Sequence, residues 1–275
     1  MKVVLFCGGY GMRMREGLDD VPKPMAMVGE RPLIWHVMRY YAHFGHTEFI
    51  LCMGYGSRHI TRYFLDYEET RSNDFVIDKG QVVPLAADIA DWKITFCNTG
   101  LNTPIGERLR RVAPHLGDDE MFLANYADVL TDAPMDHIVE AFTASGAVAS
   151  LLAVAPQSSF HVVHTSESSV VTKIESVAAL PLRENGGYFV FRRELLDRLV
   201  PGTDLVADTL TALAEEGKVV SYSHDGFWLP ADTVKERVEL DRIAMIHPAP
   251  WEVWWPEPSA NRNIYDIQPT MNTSR

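Results

Sequence analysis

The stretch that decides the reading of this chain is Gly8 to Met25, GGYGMRMREGLDDVPKPM, which follows the apolar run Val3, Val4, Leu5 and Phe6. Four apolar residues running into a glycine cluster predict a buried strand that ends in a tight turn. Gly8, Gly9 and Gly11 tolerate positive φ or let a second molecule approach the main chain. The amides such a turn leaves unpaired, with Arg13 beside them, make a seat for phosphate oxygens. Lys23 lies between Pro22 and Pro24, whose fixed φ values hold the backbone extended and aim the ammonium. Taken without the rest of the chain, the same residues also describe a Gly- and Pro-rich surface loop with incidental charges.

At 275 residues the chain can bury a substantial core, in one large α/β domain or two small ones. Its formal net charge of −12 argues against a nucleic-acid partner, while a local basic pocket for nucleotide phosphates stays compatible with it. Cys7, Cys52 and Cys97 lie far apart in apolar runs, so buried free thiols are expected rather than a disulfide framework or a C-x-x-C site. The N-terminus offers too short an apolar run for a signal peptide, and no stretch approaches a membrane span. A cytoplasmic protein without a membrane partner is the expectation.

Outward from the loop, Leu33, Ile34, Val37, Met38 and Tyr41 recur on one face of a helix over 32–44, and Glu48 to Met53 predicts a second strand. Gly54-Tyr55-Gly56-Ser57 turns the chain into another helix, with Ser57 as N-cap and Ile60, Tyr63 and Phe64 inward. Strand, loop, helix, strand, helix is the opening of a parallel sheet with helices on its faces. Residues 71–92 are polar and irregular, with a turn at Asp78-Lys79-Gly80, and read as an excursion before a strand over Lys93 to Cys97. Met121 to Ala124 is a short apolar run that ends at Asn125-Tyr126-Ala127-Asp128. A carboxylate just past the C-terminal end of a buried parallel strand points into the crevice where such sheets bind ligands, which makes Asp128 the first metal candidate. Asp132 competes with it, and reads as a cap or first-turn acid for a helix over 135–145. His43 and His46 have ligand-compatible spacing but no further ligand, and read as a solvated helix end. Past an apolar strand over Ala147 to Val154, the runs Val162 to His164, Val170 to Ile174 and Tyr188 to Phe191 read as short strands of a subdomain laid over the sheet edge. A helix over Leu205 to Glu216 and a strand over Val219 to His224 follow. Asp232 then stands before a helix whose inward face is marked by Val234, Val238 and Met245, where an N-cap is its plain reading.

Strand, Gly-Gly-x-Gly-x-Arg and then Pro-Lys-Pro-Met together resemble the sugar-1-phosphate nucleotidyltransferases, and the register holds from Met1 to about Trp254. The glucose-1-phosphate cytidylyltransferase branch is the nearest. The resemblance implies a Rossmann-like, mostly parallel α/β sheet flanked by helices, formed as one domain over 1–254. A small β-rich sugar-binding subdomain would be embedded at roughly 155–230, with a flexible tail over 255–275. It also implies roles: Arg13 and Lys23 for catalysis, and Phe6, Gly8, Gly9, Gly11, Met12, Arg13, Gly106, Arg108 and Asp128 for the nucleotide. Asn185-Gly186-Gly187 matches the family's sugar segment, and counting back places Glu175 on its sugar-binding glutamate. Gly226-Phe227-Trp228-Leu229-Pro230-Ala231-Asp232-Thr233 matches another, bringing Trp228 to the sugar and Asp232, with Asp128, to magnesium. The chain departs from the family at Ile105 and Glu107, where a threonine and a second glycine are usual, at Ala127 and Val129 beside Asp128, and at Ser176, where the family has a lysine.

The chemistry so implied joins a nucleoside triphosphate, with CTP favoured, to a sugar 1-phosphate. Pyrophosphate leaves as a phosphate oxygen attacks the α-phosphorus in line, assisted by Mg2+. The attacking oxygen is already anionic, so positive charge rather than proton transfer is the requirement. Relatives of this kind commonly form homo-oligomers. Two other readings stay open on the residues alone: a non-catalytic paralogue that binds nucleotide-sugar, favoured by the absent lysine, and a nicotinamide dehydrogenase, whose G-x-G-x-x-G spacing is not met.

Overall fold

The computed structural model describes residues 1–8, 21–157 and 160–255. Its centre is a seven-stranded sheet built from β1 (Val3–Phe6), β2 (Glu48–Met53), β3 (Lys93–Asn98), β4 (Met121–Asn125), β5 (Ala149–Val154), β6 (Glu184–Arg192) and β7 (Val219–His224). The spatial order is 7-5-6-4-1-2-3. β1 pairs in parallel with both β2 and β4, and β2 with β3, while β6 runs antiparallel between β4 and β5. The order therefore reverses at β1, where β2 and β4 lie on opposite sides. That is a switch point, and such sheets open a ligand crevice outside the strand carboxyl ends there.

β1 shows why a run without polar alternation forms a central strand. Val3 and Leu5 join one apolar cluster with α1 (Leu33–His43), whereas Val4 and Phe6 join a second on the opposite face, with Leu109 and Val112 of α3 (Ile105–Val112). Both faces are covered, so both phases of the period-2 pattern are apolar. Tyr188 to Phe191 repeats the arrangement: Tyr188 and Val190 face the first cluster, Phe189 and Phe191 the second. This corrects its assignment to a peripheral subdomain. Outside the sheet, His161–Thr165 and Val171–Ser176 pair as a separate two-stranded ladder.

Local chemistry corrects four further expectations. α2 (Ser57–Leu65) is capped by Gly56 rather than Ser57. Gly56 holds φ 66, and an added Cβ there would meet the Pro22 ring at 2.7 Å, so both conformation and contact require glycine. α4 (Met135–Ser145) has Pro134 at its cap and Asp136 in its first turn, while Asp132 instead accepts a 2.6 Å hydrogen bond from His224 Nε2. Thr233, not Asp232, caps the final helix (Val234–Ala244): its hydroxyl accepts from Glu236 N–H, and Glu236 accepts from the amides of Thr233 and Asp232. That helix buries Leu240 and packs with Ile243, leaving Val234, Val238 and Met245 exposed. Leu205–Leu210 is wound as a π-helix and continues as α-helix to Glu215, with the Asp204 carboxylate accepting from the amides of Val206 and Ala207.

The excursion after α2 forms a hairpin, Phe75–Asp78 with Gln81–Pro84, turning at Lys79 and Gly80. Buried Arg31 ties its base down, donating to Ser72, Tyr63 and the Glu68 carbonyl and lying 3.5 Å from Asp88. The three cysteines are free thiols. Cys7 and Cys52 are buried and Cys97 is half-buried, in register with Cys52 across β2 and β3. Trp251 is buried at the back of α1, where its indole donates to His36 Nδ1. Among the described residues no helix is long and apolar enough to cross a membrane.

Candidate active site

The crevice at the switch point has a volume of about 530 Å³ and is bordered by residues distant in sequence: Phe6 and Gly8 from the end of β1, Lys23, the segment 101–105, Arg108, Tyr126, Asp128, Asp204 and Asp232. Each arrives for a local reason. Lys23 opens a single 3-10 turn, Lys23–Met25, after extended Pro22 at φ −68 and ψ 149, so the backbone turns at Lys23 and Pro24 instead of running extended through them as expected. Asp128 follows Ala127, which is buried and held at φ 62, with its N–H donating to Asn125 Oδ1. Asp232 is brought in by the short antiparallel pair of Trp228–Pro230 with Val129–Thr131, and by the Ala231 amide, which donates to the Asp128 carbonyl.

At the floor, the Lys23 ammonium stands between two carboxylates. Its Nζ donates to Asp232 Oδ1 and lies 3.6 Å from Asp128 Oδ2. Burial, the largest influence, pushes the Asp128 carboxyl up to about 6, with the Lys23 charge opposing and the Asp232 charge adding. The two carboxylates thus converge on one cation-sized volume, and oxygen donors of that kind suit a hard divalent ion. No cluster of three or more acidic, His or Cys side chains with metal-holding geometry occurs among the described residues.

The other predicted positions divide. Arg108 is 3% exposed, and its guanidinium donates to the carbonyls of Thr103, Met53, Gly8 and Leu101 and to the Thr99 hydroxyl. Gly106 lies behind the crevice, where an added Cβ would meet the Thr203 carbonyl oxygen at 2.7 Å. Glu107, at the family's second glycine, accepts from Arg110 at 2.7 and 2.9 Å and from Arg111 at 2.9 Å. Those two arginines, Arg110 foremost, hold its carboxyl down at about 2. Asn185 joins the crevice through Tyr126, donating from Nδ2 to the tyrosine oxygen at 3.2 Å and accepting from the Gly187 amide. Trp228 Nε1 donates to the Gly186 carbonyl at 2.8 Å. Glu175 is on the two-stranded ladder, its oxygens paired at 2.6 Å with His164 and with Lys173. Gly9, Gly11, Met12 and Arg13, and the tail from residue 256, lie outside the described residues.

Sequence reasoning passed over Asp204 and Asn102, both at the crevice. The signal for Asp204 was its place just before an expected helix, and nothing in the loop around Asn102 distinguished it. A larger hollow, about 1050 Å³, runs along α2 between Tyr55 and Arg71. It contains neither Lys23 nor the two carboxylates, so the smaller crevice is the chemically equipped one.

No protein-family model matches the chain. A probable glucose-1-phosphate cytidylyltransferase of Bacillus subtilis (strain 168) is 35% identical over 257 residues, covering 92% of this chain and all of that protein. The glucose-1-phosphate cytidylyltransferase of Salmonella typhi is 32% identical over 256 residues, with 92% and 100% covered. Among solved structures, a putative glucose-1-phosphate thymidylyltransferase from Bacillus anthracis superposes with a TM-score of 0.66 at 17% identity, over 88% of this chain and 94% of its own. That structural likeness speaks for the fold, and the two sequence relatives, matched from end to end, carry the kinship: the chain belongs to the glucose-1-phosphate cytidylyltransferases, within the sugar-1-phosphate nucleotidyltransferase family.

Proposed function

We propose that this protein joins CTP to glucose 1-phosphate, releasing pyrophosphate and forming CDP-glucose. The observation that carries the reading is the Lys23 ammonium set between Asp128 and Asp232, at the carboxyl ends of β1 and β4 where the sheet order reverses. The choice of base and sugar rests on the relatives, which are named for that pair.

The reaction brings two polyanions together, and the attacking phosphate oxygen needs no general base. Lys23 has three N–H donors, so it can keep a carboxylate contact and still donate to a phosphate oxygen. Asp128 and Asp232 are the residues that would hold magnesium. Bound there, it would neutralise charge on the phosphates. Asn185, oriented by Tyr126 and the Gly187 amide, and Gly186, braced by Trp228, are assigned to the sugar side. The assignment of Glu175 to the sugar requires it to exchange its His164 and Lys173 partners for hydroxyls. Arg13 and the glycine loop are assigned to the leaving pyrophosphate.

A pyrophosphate-release assay tests this, crossing CTP, dTTP, UTP, ATP and GTP against a panel of sugar 1-phosphates with magnesium. Release with CTP and glucose 1-phosphate is expected, falling about a hundredfold or more in Lys23→Ala and Asp232→Ala. Release with another pair would reassign the substrates. Silence across the panel, with nucleotide-sugar binding still seen by calorimetry, would overturn the proposal in favour of a binding protein.

A further inference from the structure

We infer that Asp204 reads the ribose of the nucleotide, its free carboxylate oxygen accepting from a sugar hydroxyl and so selecting a ribonucleotide. The inference rests on the reading of the crevice as the nucleotide site. Three carboxylates border that crevice, those of Asp128, Asp204 and Asp232. Lys23 stands between the first and the last and accounts for both. Asp204 does not join them: among the described residues no three acidic, His or Cys side chains converge as a metal would require, and no cation pairs with Asp204. A lone carboxylate beside a site for two polyanions repels them. It fits such a site where it meets an uncharged part of the ligand that donates, because an ionised carboxylate only accepts. The ribose hydroxyls and the amino group of cytosine are donors of that kind.

The carboxylate is held on a rigid mount. Its Oδ1 accepts from the amides of Val206 at 2.8 Å and Ala207 at 3.0 Å, and the Asp204 amide donates to Asp208 Oδ2 at 2.7 Å. The π-helix that it caps is anchored by Leu205 and Leu210, both buried in the second apolar cluster. The backbone of 203–205 lies so close to the first turn of α3 that a Cβ on Gly106 would come within 2.7 Å of the Thr203 carbonyl oxygen and 3.1 Å of the Asp204 carbonyl carbon. With Oδ1 spent on the helix, Oδ2 is the oxygen left to a ligand. Its place selects the ribose over the base. Burial, the largest influence, pushes the Tyr126 phenol up to about 12, and the charges of Asp204 and Asp128 both add to it, so the two carboxylates lie within electrostatic reach of one ring. The proposed reaction seats the α-phosphate beside Asp128, two residues from Tyr126. The part of the nucleoside bonded to that phosphate is the ribose, and the base is carried on its far side.

The test compares CTP with 2′,3′-dideoxy-CTP in steady-state kinetics, in wild type and in Asp204→Ser. Serine caps a helix about as well as aspartate, so the variant keeps an acceptor for the helix amides and loses the second oxygen. Wild type is expected to favour CTP in kcat/KM by about tenfold to a hundredfold, the range of a hydrogen bond to a charged group. In the variant that preference is expected to fall to within about threefold of unity, while the preference between CTP and UTP stays as in wild type. A wild type indifferent to the missing hydroxyls overturns the inference. An aspartate that only caps its helix would lower the urea midpoint and leave the ribose preference in place, and that result overturns it too. So does a variant that keeps its ribose preference and changes its preference between CTP and UTP, which would put the carboxylate on the base. Should Asp204→Ser fail to fold, a crystal structure of the wild type with a non-hydrolysable CTP analogue decides: Oδ2 is expected within about 3 Å of a ribose oxygen, and an Oδ2 that meets no ribose oxygen refutes the assignment. Wild-type activity is measured first. Inactivity with every nucleotide strikes at the proposed function and takes this inference with it, whereas an active wild type and an unmoved ribose preference strike at this inference alone.

Discussion

Replacing Asp128 with asparagine should make the metal-free protein more stable while removing its activity. Burial raises the Asp128 carboxyl from 3.8 to about 6. A group that binds its proton more tightly folded than unfolded contributes stability in full below the unfolded value, and that contribution is lost as pH rises through the folded value. The interval corresponds to about 3 kcal/mol of folding free energy forgone at neutral pH. The side chain is 23% exposed, and solvent screening brings the expected gain from asparagine to about 1–3 kcal/mol. Asparagine keeps the shape and leaves Lys23 its Asp232 partner. The assay is urea unfolding of both proteins in EDTA between pH 7.5 and 4.5. The variant should lead at pH 7.5, and the gap should shrink by more than half at pH 4.5, where the native carboxyl is already neutral. Magnesium added back should raise the wild-type midpoint and leave the variant's unmoved, because binding to the folded state alone stabilises it. A variant less stable than wild type at pH 7.5, or a gap that does not change with pH, would refute the claim that this carboxylate is held at a cost to the fold.

Two further outcomes follow from packing and from a buried histidine. In Gly106→Ala the new methyl meets backbone of residues 203–205, which cannot swing aside, so α3 must lift; a loss of about 1–3 kcal/mol in urea unfolding is expected, and an unchanged midpoint would show that the contact has slack. His36 accepts the Trp251 indole N–H at Nδ1, so its proton sits on Nε2 and donates to the Val28 carbonyl, and burial lowers its pKa to about 4. Its contribution is full above 6.5 and lost as pH falls towards 4, roughly 2–3 kcal/mol by pH 4.5. The acid-side decline in unfolding free energy should therefore be smaller in His36→Gln than in wild type, and parallel declines would contradict the neutral, buried imidazole.

The elements whose pattern reports burial directly were legible in the sequence. Val3 to Phe6, Glu48 to Met53 and the spacing of Leu33, Ile34, Val37 and Met38 each fix an element and the side it buries, because both faces of the strands and one stripe of the helix are apolar. The final helix misled for the converse reason. Val234 and Val238 form an apolar stripe of their own, but the capping box at Thr233 and the docking of Leu240 set its rotation so that the stripe faces solvent. The hairpin at 75–84 makes the same point, since Ile77 and Val82 are apolar and more than half exposed. Composition records what a residue could bury, and tertiary contact decides what it does bury.

Charged residues at the site follow a similar division. Lys23 and Asp128 were legible as crevice residues from the paired prolines and the strand end, whereas Asp232, whose place before a helix suggested a cap, was brought to the crevice only by the matched Gly-Phe-Trp segment. Arg108 was legible as a residue of the site, whereas the bonds that hold its guanidinium were not, because four of its five acceptors are backbone carbonyls whose side chains (Gly8, Met53, Leu101, Thr103) carry no sign of it. Glu107 is the reciprocal case. Against a family pattern it stands as a departure at a nucleotide contact, but its carboxylate is turned onto Arg110 and Arg111 and lies 3.4 Å from the Gly202 amide, so it braces α3 against the segment that Gly106 packs on. The glutamate and the glycine before it then serve one purpose. They fix the helix that carries Arg108 to the edge of the crevice.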